Sequence, residues 1–242
     1  MAVAFVQAKA SAEGSSVASL AVTFDSSTVS ANLVHVSTCV WDGDGAAPTG
    51  YTVTDNKSNT YSSCSVGQSF TESSGQERLE AHYAGNITGG AAHEITVSPG
   101  DTGLYMTIGV LELSGADVTT PLGNVNSATG SSAAPSSGSV TPGSAGLFVA
   151  GMGYESSTAG GSTMTPEAGW DQRLEIDENF DAAPQNIMTK AASNGVADVA
   201  DWTQGATEAW GAYLVHYKEA AGGGGGDAVP VCWGQYRRRH AG

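Results

Sequence analysis

Two carboxylates flank a glycine in Asp42-Gly43-Asp44-Gly45. Alternate Asp oxygens with glycine at the bend can wrap a hard cation, so Asp42 and Asp44 are candidate calcium ligands. A calcium site needs about six oxygens or more, and here Ala46, Ala47 and Pro48 follow in place of a later Glu. A turn closing the preceding strand explains the same residues. Calcium is the one cofactor the sequence suggests. Of the five histidines, His35, His82, His93, His216 and His240, none has a partner at zinc-finger or zincin spacing. His35 with Cys39 and Cys64 offers part of a zinc set without a fourth ligand. Three cysteines are an odd count and no disulfide framework. Cys39 and Cys64 pair only if their strands are neighbours, which leaves Cys232 spare; the expectation is that all three are reduced. No Gly-x-Ser-x-Gly elbow and no phosphate-cradling glycine loop is present.

Aromatic and basic residues gather near the C-terminus. Gly222 to Gly226 are five consecutive glycines, and Trp233, Tyr236, Arg237, Arg238 and Arg239 follow. Arginine makes bidentate contacts to carboxylates, and the aromatics supply anchoring area. The whole chain carries 9 Lys+Arg against 24 Asp+Glu, a net charge of −15. That acidity opposes approach to nucleic acid. The expected partner of the tail is therefore an acidic neighbouring subunit, in another protein or in a second copy. Trp41, Trp170 and Trp202 stand near strand ends or loops, where exposed indoles could form a glycan-binding face; core packing is the commoner fate of tryptophan.

These groups need elements to position them, and the pattern is that of strands. Short apolar runs recur every ten to fifteen residues, the spacing of a sandwich. The clearest are Ser16–Phe24, Asn32–Trp41, Arg78–Ala84, His93–Ser98, Leu104–Leu113, Gly146–Tyr154, Gln185–Ala191 and Glu208–Tyr217. Leu104, Met106, Ile108 and Val110 alternate, as do Trp210, Ala212 and Leu214, which puts each set on one buried face. No stretch has the 3.6-residue apolar period of a long helix, and no run approaches the ~20 apolar residues of a membrane helix. Thr52 to Thr60 reads as a hairpin around Asp-Asn-Lys-Ser-Asn. Ser114 to Gly143, rich in Gly, Ser, Ala, Thr and Pro, reads as one long connection between two halves of a sandwich. No internal repeat is visible. The expectation is an all-β, antiparallel, jelly-roll-like β-sandwich over 1–219, a flexible glycine-rich linker over 220–227 and a tail over 228–242.

Several runs resemble a family of jelly-roll-like β-sandwich domains of bacterial extracellular proteins and phage virion proteins. Asn32–Trp41 is similar to its second main strand, Val53–Tyr61 to its hairpin and His82–Gly90 to the strand and turn that follow. Val110–Asp117 is similar to a strand end, and Trp210–Tyr217 to the closing strand. The likeness spans about 15–218. It implies a display module and brings no catalytic residues. A second resemblance is local: Glu175-Ile176-Asp177-Glu178 is similar to the start of the Glu-x-Asp-x-x-Glu strand of laminarinase-type glycoside hydrolases. There two carboxylates serve as nucleophile and acid, about 5 Å apart in a retaining enzyme. The third carboxylate falls at position 180, which is Phe180. No catalytic residue is therefore expected.

The N-terminal Met-Ala-Val-Ala-Phe-Val-Gln-Ala-Lys lacks the basic start and apolar run of a secretory signal. The expectation is a non-enzymatic phage virion protein, a capsid decoration or a tail or fibre component, made in a host cytoplasm. Its tail would dock it to neighbours. The alternative is a carbohydrate-binding or adhesin module at a cell surface, and a glycoside hydrolase comes after it.

Overall fold

The computed structural model describes residues 1–42, 49–71, 75–102, 104–154, 164–176 and 183–221, with the side chains of 12–16 excepted. Within them the chain is all-β, with antiparallel sheets packed as a β-sandwich. The first half runs β1 (Ala4–Val17), β2 (Leu20–Thr23), β3 (Leu33–Asp42), β4 (Thr52–Asp55), β5 (Ser62–Ser63), β6 (Gln68–Thr71), β7 (Gln76–Ala84), β8 (Glu94–Ser98) and β9 (Leu104–Ser114). The second runs β10 (Leu122–Ser132), β11 (Ser136–Val140), β12 (Gly146–Tyr154), β13 (Thr165–Pro166), β14 (Asp171–Ile176), β15 (Gln185–Ala192), β16 (Asp198–Thr203) and β17 (Glu208–Lys218).

The two halves have the same topology. One large sheet is ordered β1-β9-β3-β7-β5, with β6 also on β7; the other is ordered β10-β17-β12-β15-β14. Each is faced by a three-stranded sheet, β2-β8-β4 in the first half and β11-β16-β13 in the second. Alternation of consecutive strands between two facing sheets is the arrangement of a jelly roll. The large sheets pack face to face in reversed order, β1 over β14 and β10 over β6. The expected two-layered body is thus four layers deep, an internal duplication related by a quasi-two-fold.

Four layers need three cores. The central one lies between the large sheets and joins Leu33, Leu79, Leu111 and Leu113 to Leu147, Val149, Ile187, Tyr213, Val215 and Tyr217. The second lies under β2-β8-β4 and takes Val34, Val36, Met106, Ile108 and Val110. The third lies under β11-β16-β13 and takes Phe148, Met152, Trp210, Ala212 and Leu214. Successive side chains of a strand point to opposite faces. So the even members of β9 and β17 face an outer core while the odd ones face the centre. The period-two pattern in these strands separates core from core, and both sets are buried.

Two sequence expectations are corrected. Thr52–Thr60 is not a hairpin: β4 pairs with β8, whereas β5 pairs with β7 in the other sheet of the same half. The Asp55 carboxylate accepts hydrogen bonds from the amides of Lys57 and Asn59, which bends the chain around it, and Ser58 takes a positive φ of 63°. Ser114–Gly143 is not one connection, because it contains β10 and β11. Their small polar residues carry no apolar stripe since β10 is an edge strand. The side chains of Asn124 and Asn126 donate to the carbonyls of Thr141 and Ser139.

Gly151 on β12 sits where a Cβ would fall 2.3 Å from the Tyr213 ring. Tyr213 is fully buried and cannot swing away. Gly151→Ala is expected to cost about 1–3 kcal/mol by overpacking, read as a lowered urea midpoint with an unchanged slope.

Candidate functional site

Each residue singled out by the sequence has a position in this frame. Trp202 on β16 is 2% exposed, and its indole donates to Asn186 Oδ1 at 3.1 Å. Trp170, just before β14, is 8% exposed and packs against Phe148 at 6.2 Å between centroids. The exposed-indole expectation is therefore corrected for both: each fills the third core, as the apolar bulk of tryptophan favours. Trp41 on β3 is half-buried, edge-on to Tyr105. The three indoles form no common face, since Trp41 belongs to the first half and the others to the second.

Asp42 ends β3 and is buried, while its proposed calcium partner Asp44 lies outside the described residues. Glu175 is on edge strand β14, where Oε2 accepts from Gln172 and Oε1 from the amide of Met164. Asp177, Glu178 and Phe180 lie outside the described residues, as do Cys232, Trp233, Tyr236, Arg237, Arg238 and Arg239.

His35 and Cys64 meet at Tyr217 in the central core, Cys39 lies four residues further along β3 beside Glu77, and no metal-holding group of three forms among the described residues. His35 Nδ1 is 2.8 Å from the Tyr217 hydroxyl and Nε2 is 2.9 Å from that of Tyr213. Both nitrogens are thus taken across the seam between the halves. Cys64 Sγ is 3.5 Å from the Tyr217 hydroxyl, and the two cysteines are buried thiols, not a disulfide. Burial, with a smaller contribution from His82, lowers the His35 pKa to about 3, so the ring is neutral. A neutral imidazole has one donor and one acceptor nitrogen, so one tyrosine donates to it and the other accepts. The cluster is a polar clamp between the halves. Burial also pushes the Cys64 thiol up to about 12, the direction of an unreactive cysteine.

A second buried acid–imidazole–hydroxyl line escaped sequence reading. Asp55 Oδ2 is 2.8 Å from His93 Nε2, and His93 Nδ1 is 2.8 Å from the Thr28 hydroxyl. The carboxylate also accepts from Asn59 Nδ2 at 2.7 Å and from the Tyr61 hydroxyl at 3.0 Å. Burial opposes the charge on Asp55, but the Asn59, His93 and Lys57 hydrogen bonds outweigh it and hold the pKa at about 2. Thr28 itself is buried against Gly90. This arrangement joins three loops of the first half, with the Thr28 hydroxyl buried. The signal that could have found it was the Asp-Asn-Lys-Ser-Asn-Thr-Tyr run read as an Asx turn with its own ligands.

The chain does have an open concavity, of about 470 Å³, at one end of the β11-β16-β13 sheet. Pro135, Ser136, Glu167, Asp201, Trp202 and Thr203 line it. Its shape is set by backbone: the Trp202 amide donates to the Pro135 carbonyl and the Glu167 amide to that of Asp201. Glu167 is exposed, whereas Asp201 Oδ1 is shielded from solvent and accepts no hydrogen bond among the described residues. The two carboxylates give this end of the sheet a negative potential. Comparison of the chain with family models, with curated proteins and with solved structures found no match.

Removing the hub carboxylate in Asp55→Ala should cost about 2–4 kcal/mol, since it strands several buried donors, read by chemical denaturation. The His35 clamp sets a pH dependence. An unfolded histidine titrates near 6.5 and the folded one near 3, so between these values the unfolded chain binds the extra proton. Stability is then full above about pH 6.5 and falls on acidification toward pH 3, by at most ~1.4 kcal/mol per unit. His35→Gln should flatten that part of the profile of urea midpoint against pH.

Proposed function

We propose that this protein is a non-enzymatic structural component of a phage virion, a capsid decoration or a tail or fibre protein. It presents a rigid β-sandwich surface and is held to neighbouring subunits by its Arg- and aromatic-rich tail. The observation that carries the docking is one of charge. Residues 1–221 hold 23 of the 24 acidic residues and only six of the nine basic ones. Each of those six is already engaged. Lys9 pairs with Asp25, Arg78 with Glu80, Arg173 with Asp171 and Lys190 with Asp198. Lys57 donates to the Ala91 carbonyl and Lys218 to the Thr120 hydroxyl. The remaining cations, Arg237, Arg238 and Arg239, stand together beyond the glycine run, and a strongly acidic body is their complement. The likeness to virion and extracellular display domains supports the virion setting. A glycan-binding reading loses support from Trp170 and Trp202, whose faces are in the core.

Deleting 222–242 should abolish self-association or particle incorporation while circular dichroism and the thermal midpoint of the body stay unchanged. Sedimentation velocity and mass spectrometry of purified particles read the two effects. Undiminished association after the deletion, or absence of the protein from the particles, overturns the proposal.

A further inference from the structure

We infer that the free edge of β10 is a dimer interface, along which β10 of a second copy of this chain pairs antiparallel about a two-fold. The contact is separate from the tail docking proposed above. The first observation is which backbone groups are free. On β17 the Lys218 amide donates to the Pro121 carbonyl and the Glu219 amide to that of Ala145. The even-numbered residues of β17 therefore face β10, and the odd-numbered ones face β12. Asn126, Ala128, Gly130 and Ser132 stand opposite Leu214, Ala212, Trp210 and Glu208. They spend their N–H and C=O groups on β17, which turns those of Ser127, Thr129 and Ser131 outward. No other strand pairs with β10 among the described residues. The Ser127 amide donates to Asn126 Oδ1 of its own strand at 2.8 Å, and Thr129 and Ser131 are exposed.

The second observation is that β10 lacks the devices that keep sheet edges apart, which are charge, bulges and shortness. β1 holds the corresponding place in the first half. It carries Lys9, paired with Asp25, and its register shifts at Phe5/Gln7 and Glu13/Val17. β14 carries Asp171, Arg173 and Glu175 and shifts at Gln172/Leu174. β5 and β6 are only two and four residues long. From Val125 to Ser132, β10 runs in unbroken register with no charge and no proline.

The third observation selects a second copy as the occupant. With Thr129 on the axis, it faces the partner's Thr129, Ser127 faces the partner's Ser131 and Ala128 the partner's Gly130. These cross-strand pairs are small, and opposed hydroxyls can hydrogen-bond. Two chains of net charge −15 repel each other, so a strip without charge is where they can meet. Pairing joins two five-stranded sheets into one with a charged β14 at each outer edge. The two-fold contact closes on itself, and those charges end the sheet.

The test uses the full chain at about 0.5 M salt, which screens exposed contacts of the arginine tail far more than backbone pairing. The variants are Thr129→Pro, Thr129→Lys and Thr129→Ala. The Thr129 amide makes no bond to β17, so proline there keeps the ladder and removes the outward donor. Lysine sets like charges against each other across the axis. Thermal melts establish that each is folded, and Thr129→Lys decides alone if the proline variant is not. Sedimentation velocity should show the unaltered chain and Thr129→Ala as dimers, with the other two weakened roughly tenfold or more. With the pair in place, the tail deletion described above reads as loss of assembly beyond the dimer. A folded proline or lysine variant that dimerises like the unaltered chain overturns pairing along β10 and leaves tail docking standing. Loss of the dimer in Thr129→Ala overturns a backbone contact. An unaltered chain that stays monomeric at every concentration overturns the interface.

Discussion

The constraint on which the molecule depends is that each large sheet must be dry on both faces. A sheet in a simple sandwich buries one face and wets the other. Here β3, β9, β12 and β17 are buried along nearly their whole length, with an outer core on one side and the central seam on the other. Everything that covers these strands follows from that demand. The three-stranded sheets cap the outer faces, and each half caps the inner face of the other. The seam is also where a polar side chain is most expensive, which is why His35 meets two tyrosines there and not water.

Much of this was legible from residue types. The eight apolar runs each fall on a strand or overlap one, because a strand buried on both faces must be apolar or small throughout. Edge strands were not legible. β1, β10 and β14 bury little of their length and are built from Ala, Ser, Gly, Gln and Asp, which in sequence look like connections. The duplication was hidden for a different reason. Leu33 and Leu147 hold corresponding places, pairing with Leu113 and Tyr217, but the next residues toward the seam are His35 and Val149. Topology asks only for burial at such positions, so the halves share a pattern of inside and outside with few shared residues.

The candidate site divides the same way. The tail could be found from sequence because a block of arginine after five glycines needs no fold to be noticed. The cavity could not, because it depends on which way Asp201 turns and on the approach of Glu167 from another loop. The tryptophans misled because a strand-end position says nothing about which layer lies outside it. Trp202 is on the inner face of β16 and fills the space between that sheet and the large one. The polar hubs around Asp55 and Glu112 also tie distant segments together. Glu112 is fully buried, and its oxygens take the Val29 amide, Asn32 Nδ2 and Gln7 Nε2.

The pairing of β1 with β9 has a bearing on synthesis. Ala4 sits opposite Ser114, so the opening strand has no ladder to join until more than a hundred further residues have left the ribosome. Long-range pairing of this kind is slow. When β9 does arrive, the leading half can close while the trailing half is still being made, and its seam face is then a bare apolar surface that matches an equally bare one on another nascent chain. Exchange of halves between two chains would satisfy the same contacts as the proper fold.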